Sequence, residues 1–78
     1  MDNLKNNIIT LNNNQYFVIE ETVFDYDVYD LILNVNNESD IKIMMQDMKN
    51  GKTVLREIDD NSKLEELANR FKTALNIN

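Results

Sequence analysis

The chain has 78 residues, with 14 acids against eight bases for a net charge of −6, and it contains neither histidine nor cysteine. A disulfide or thiolate site is therefore impossible, the commonest metal ligand and general base are missing, and the charge disfavours nucleic acid and anionic lipid as partners. A chain of this length makes one domain, residues 1–78, and buries only roughly 60–65% of its unfolded surface, so association is the remaining way to gain buried area.

The charge is uneven. Residues 1–41 hold eight acids against Lys5 alone, net −7, whereas residues 42–78 hold six acids against seven bases, net +1. Such a first half suits a basic protein partner or serves solubility. No apolar run approaches the ~18 residues of a membrane span, and the opening residues resemble no secretory leader, so no membrane association and a cytoplasmic location are expected. The asparagines, including Asn12–Asn14, Asn36 and Asn37, fit a compositional bias better than a site.

In chain order, residues 1–6 are polar and expected to fray. Asn7–Leu11 reads as a first strand and Asn12–Asn14 as a turn, because asparagine tolerates the left-handed backbone of tight hairpins. Gln15–Phe24 is rich in aromatic and β-branched residues and reads as a second strand. Asp25-Tyr26-Asp27, with no glycine or proline, is expected to be a loop of three to five residues before a third strand, Val28–Val35. With three loop residues, Val23 faces Tyr29, Ile19 faces Leu33 and Phe17 faces Val35, which gathers these residues and Leu31 on one sheet face. Glu21 then falls among them without a physical reason. The opposite face carries Tyr16, Val18, Glu20, Thr22, Val28, Asp30, Ile32 and Asn34, a mixture of apolar and polar groups.

Asn36–Asp40 is read as a turn, and beyond it the pattern is ambiguous. Ile41, Met44, Met45 and Met48 have helical spacing between Ser39 and a possible glycine cap at Gly51, so residues 39–50 could be a helix beside the sheet. The alternation of Ile41, Ile43 and Met45, followed by Asn50-Gly51 and then Thr53–Ile58, equally describes a hairpin.

The last segment is clearer. Leu64, Leu67, Ala68, Phe71 and Leu75 form one stripe on a 3.6-residue period, which predicts an amphipathic helix over Ser62–Leu75. Ser62 and Glu65 have the spacing of a capping box, and Glu66 and Arg70 that of a favourable i,i+4 pair. The stripe is expected to cover the sheet face made by Phe17, Ile19, Leu31 and Leu33. The predicted class is therefore α+β: an antiparallel sheet of about five strands with one C-terminal helix on one face, or a sheet with two helices if residues 39–50 are helical.

The order of these features resembles a known family. An "ITL" strand (Ile9-Thr10-Leu11), Tyr16-x-Val18, Tyr29-x-Leu31, the acidic Asn36–Ile43 segment, Gly51, and Val54-Leu55-x-x-Ile58-Asp59 before a Leu/Phe helix together resemble the YrzB-like family. These are short acidic proteins of low-GC Gram-positive bacteria with no established activity. The resemblance favours a strand for residues 41–48 and implies a bacterial origin. It implies no catalytic or binding residue.

No chemistry is visible in the residues themselves. Asp25, Asp27 and Asp30 suggest a hard-cation loop, but an EF-hand starting at Asp25 needs glycine where Asp30 stands and glutamate where Asn36 stands. Glu20 and Glu21 are neighbours on a strand and point to opposite faces, so they make no catalytic dyad. Ser39 and Ser62 occupy turn and cap positions with no histidine to activate them. One glycine is too few for a phosphate-cradling loop. Met44, Met45 and Met48 suit either a core or an adaptable surface.

A non-enzymatic protein-interaction or regulatory module without cofactor or metal is therefore expected, with a homodimer as one form of it. The candidate partner surface is Glu20, Asp25, Asp27, Asp30, Glu38 and Asp40. The same acids allow an alternative, a decoy from a phage or mobile element that imitates nucleic-acid charge to occupy a basic cleft. That alternative requires them to gather on one surface.

Overall fold

The computed structural model describes residues 3–76. Five strands, β1 (Ile8–Leu11), β2 (Asn14–Phe24), β3 (Asp27–Asn34), β4 (Asn37–Lys49) and β5 (Lys52–Arg56), precede one helix, α1 (Asn61–Ala74). The strands form one sheet in chain order, every neighbouring pair antiparallel, giving the α+β class expected of the sequence. No helix among the described residues is long and apolar enough to cross a membrane.

Three of the four hairpins turn through two residues with positive φ: Asn12-Asn13 (52° and 67°), Asp25-Tyr26 (56° and 73°) and Asn50-Gly51 (53° and 77°). Paired positive φ values are the mark of type I′ turns, whose twist matches the strands they join. The loop expected over Asp25–Asp27 is thus one residue shorter, with Phe24 pairing Asp27. The turn expected over Asn36–Asp40 is also shorter. It occupies Val35-Asn36, and β4 begins at Asn37.

The shorter turn changes the β2–β3 register, and a bulge corrects for it. Val23 pairs Val28, Glu21 pairs Asp30 and Glu20 pairs Leu31, after which Ile19 is skipped and Val18 pairs Ile32. One extra residue reverses the alternation of a strand. Phe17 and Ile19 stay on the helix side as expected, but beyond the bulge that side receives Phe24, packed in the helix-side core. Val23 is left 63% exposed and Val35 44% exposed. Glu21, whose place among apolar residues had no explanation, is turned to the other face.

The segment 39–50 is not helical: residues 39–49 are strand and Asn50 opens the next turn. β4 has a hydrogen-bonded neighbour on each side, β3 along Asn37–Met45 and β5 along Met45–Lys49. Two ladders satisfy its backbone while its side chains alternate between faces, and this outweighs the helical spacing of the methionines.

The helix begins one residue earlier than predicted. Asp60, not Ser62, is the N-cap, and its Oδ1 accepts from the Lys63 N–H at 3.2 Å. At the other end Asn76 (φ 58°) donates to the Thr73 carbonyl, closing the helix in the left-handed geometry asparagine tolerates. Glu66 and Arg70 form the expected pair, Oε1 to Nε 3.9 Å. Leu67 and Phe71 are buried against Tyr29 and Leu31, as the stripe predicted.

The second face also has a core. Tyr16, Val18, Ile32 and Met44 are buried there, covered by Leu4, Ile9 and Leu11 from the start of the chain and Leu55 from β5. The sheet is therefore curled, with its two edge strands closing over its own face. Of the N-terminal stretch expected to fray, Met1 and Asp2 lie outside the described residues. Asn3–Asn6 is a tied turn, in which Asn6 donates to the Val18 carbonyl at 2.9 Å and Asn7 to the Leu4 carbonyl at 3.0 Å.

Tyr26 is 97% exposed at φ 73°, so a side chain is held in a strained conformation without burial to offset it. Left-handed geometry costs an L-residue roughly 1–2 kcal/mol, and glycine's greater unfolded entropy returns about half of that. Tyr26→Gly is therefore expected to raise stability by about 0.5–1 kcal/mol in urea unfolding. A lower urea midpoint would contradict this account of the turn.

Candidate functional site

The acids of the first half do not form one surface. Asp25 and Asp27 lie at the β2–β3 turn, beside Lys63 at the start of the helix. Glu38 lies at the opposite end of the sheet, in a wide irregularity where Leu33 pairs Ile41 but Asn34 pairs Asn37.

Glu20 and Asp40 are engaged within the domain. Glu20 pairs with Lys5 at 3.0 Å, which holds its carboxyl below the usual range. Asp40 accepts from the Tyr16 hydroxyl at 2.6 Å and from Asn34 Nδ2 at 3.1 Å, and it pairs with Lys42 at 2.8 Å. Lys42 and these two donors draw the Asp40 carboxyl down to about 2, while the tyrosine hydroxyl is pushed up by the carboxylate it serves. Asp40 thus ties the β3–β4 irregularity to β2.

Asp30 is not a surface residue at all. It is fully buried on the second face, opposite Glu21. Gln46, itself buried, donates from one Nε2 to Glu21 Oε2 at 2.7 Å and to Asp30 Oδ2 at 2.8 Å. The Leu4 N–H adds a 3.2 Å bond to the same Glu21 oxygen. Three strands and the N-terminal turn therefore meet at two carboxyls and one amide. Burial, hydrogen bonding to Glu21 and the charge of Glu21 push Asp30 up to about 7, against the donation from Gln46. The spacing of acids alone did not reveal this pair; the bulge at Ile19, which no residue pattern announces, creates it.

Scattered in this way, the six candidate residues lack the continuous ribbon that a nucleic-acid mimic requires. No group of three acidic side chains able to hold a metal ion comes together among the described residues.

A different surface is assembled by register. Ile8 pairs Phe17, Phe17 pairs Leu33, and Leu33 pairs Ile41, so four apolar side chains stand in one row across β1 to β4. At strand spacing the row is about 14 Å long. It lies on the helix side but beyond the helix C-terminus, where Leu31, Ile41, Ile43, Phe71 and Leu75 line a hollow of about 340 Å³. Ile8 is 58% exposed, Ile41 55% and Phe17 36%. Phe17 and Leu33 were expected beneath the helix. The helix is too short to reach them.

The buried carboxyl pair makes stability pH-dependent. Asp30 titrates near its ordinary 3.8 when unfolded and near 7 when folded. Its contribution is thus fully present below about pH 4 and is lost as pH rises through about 7. Asp30→Asn keeps a neutral donor beside Glu21 and is expected to stabilise the domain by up to about 4 kcal/mol at pH 8 and by little at pH 4. Urea unfolding from pH 4 to 8 measures this, and parallel profiles for the two proteins would contradict it. No protein-family model, no curated protein and no solved structure matches this chain, which leaves the geometry of the sheet to carry its functional reading.

Proposed function

We propose that this chain is a non-catalytic protein-interaction module that associates with a second copy of itself through the apolar row. The observation that carries the reading is the alignment of Ile8, Phe17, Leu33 and Ile41 in one rank, exposed at Ile8, Phe17 and Ile41 and half-buried at Leu33. Single exposed apolar residues are ordinary, but a contiguous rank marks a surface that gains by being covered.

Charge at the two flanks favours a second copy as the cover. Glu38 lines a shallow hollow beside Phe17, Leu33 and Val35, and Lys72 lines the hollow on the other flank with Ile41 and Leu75. Neither has an ion-pair partner among the described residues. A two-fold axis near Leu33 sets Glu38 of each copy against Lys72 of the other, as a self-complementary interface requires.

Light scattering and sedimentation from about 10 µM to about 1 mM are expected to show a monomer–dimer equilibrium. Ile41→Lys, at an exposed position, is expected to leave folding within about 0.5 kcal/mol and to abolish association. Glu38→Lys is expected to weaken it, and adding Lys72→Glu to restore it. A monomer at every concentration, or unchanged association of Ile41→Lys, would overturn the reading.

A further inference from the structure

We propose that the hollow between β4 and the last turns of α1 binds a free medium-chain aliphatic carboxylate, its hydrocarbon chain in the hollow and its head group on Lys72. The site belongs to a single copy of the chain and does not depend on self-association.

The hollow follows from the helix stripe. Leu64, Leu67, Phe71 and Leu75 carry large side chains, and Ala68 is the one short member. Where Ala68 stops at Cβ, a space of about 340 Å³ opens over Leu31 of β3 and Ile41 and Ile43 of β4. Leu31 pairs Ile43 and Leu33 pairs Ile41, so register supplies an apolar floor across two strands. Phe71 and Leu75 close the helix side. The space lies at the low end of the range for small-molecule sites, which suits a ligand of a few carbons rather than a polymer. Apolar walls gain by being covered, and each methylene fully buried against them tightens binding about fourfold.

Lys72 selects the head group. It is the only charged residue among those lining the hollow, all the others being apolar. It is exposed and has no ion-pair partner among the described residues. A lysine beside apolar surface lays its aliphatic stem along the wall and keeps its ammonium in water, which here puts the charge at the rim. The helix C-terminus opposes it with only about half a charge. Two of the last carbonyls, those of Phe71 and Thr73, already accept from Leu75 and Asn76. Glu66, the acid nearest to Lys72 along the helix, is tied to Arg70. The rim is thus cationic and the floor apolar, the complement of an aliphatic chain ending in a carboxylate. In an associated pair, Glu38 of the second copy would meet the same ammonium, so ligand and partner compete for it.

The probe is octanoate, titrated into the full chain at about 0.1 mM and followed by nitrogen-15 NMR. Saturable shifts are expected at Leu31, Ile43, Ala68 and Lys72, half complete at a few millimolar or below. Butanoate and octylammonium are each expected to bind at least about tenfold more weakly, the first for want of chain and the second for its charge. Ala68→Leu, which keeps a good helix former and fills the hollow, and Lys72→Glu, at an exposed position, are each expected to weaken octanoate at least about tenfold. Ile8→Lys lies in the apolar row but outside the hollow, and is expected to bind octanoate at least as tightly as the wild type while failing to self-associate. No saturable shift, equal binding of butanoate or octylammonium, undiminished binding to Ala68→Leu or Lys72→Glu, or loss of binding in Ile8→Lys would overturn the proposal.

Discussion

Everything in this fold depends on one extra residue in β2. The bulge at Ile19 divides the strand into two stretches of opposite alternation. Before it, Tyr16 and Val18 enter the core of the curled face. After it, Phe24 is delivered to the helix and Glu21 to the curled face. Without the bulge, a strand long enough to join both ends of the sheet would place Glu21 under the helix and leave Phe24 in water. With it, a single strand serves two cores, and a carboxyl finds a glutamine and an acidic neighbour instead of a leucine.

That solution has a consequence for stability. Glu21, Asp30 and Gln46 lie on β2, β3 and β4, and the amide of Gln46 bonds both carboxyls. Asp30 Oδ1 and Gln46 Oε1 find no donor among the described residues, so the cluster is only partly satisfied. A half-satisfied buried network costs more than an apolar one, but it resists register slips: moving any of the three strands by one residue would send its polar group to the other face. In a domain with no disulfide, such a device favours one strand alignment at some expense of stability.

Much of the fold was legible because its signals are local. The helix stripe of Leu67 and Phe71, the Asn50-Gly51 hairpin and the five-strand count each follow from residues near one another in sequence. Long-range features were not legible. The three-residue loop inferred at Asp25–Asp27 failed because Tyr26 occupies a position where glycine is the usual signal, so the turn concealed its own type. The bulge left no mark in the hydrophobic pattern, since Val18, Ile19 and Glu20 are individually unremarkable. Among the candidate site residues, the acids were visible but their partners were not: Lys5 for Glu20 and Lys42 for Asp40 depend on neighbours brought together by pairing. A charge count by half-chain describes composition, whereas the electrostatic surface depends on which carboxylates remain unpaired after folding.

The surfaces left over follow from what one helix and a curl can cover. A five-stranded sheet has two faces and two edges. The 14-residue helix covers one face from Tyr29 to Leu31 and ends at Leu75, short of the row through Phe17, Leu33 and Ile41. The curl covers the other face with strands four and five residues long. More helix would bury the row. The chain supplies none among its described residues, so the unmet demand of the fold is apolar area on the helix side. A second identical copy suits that demand because the row is flanked by opposite charges, Glu38 on one side and Lys72 on the other.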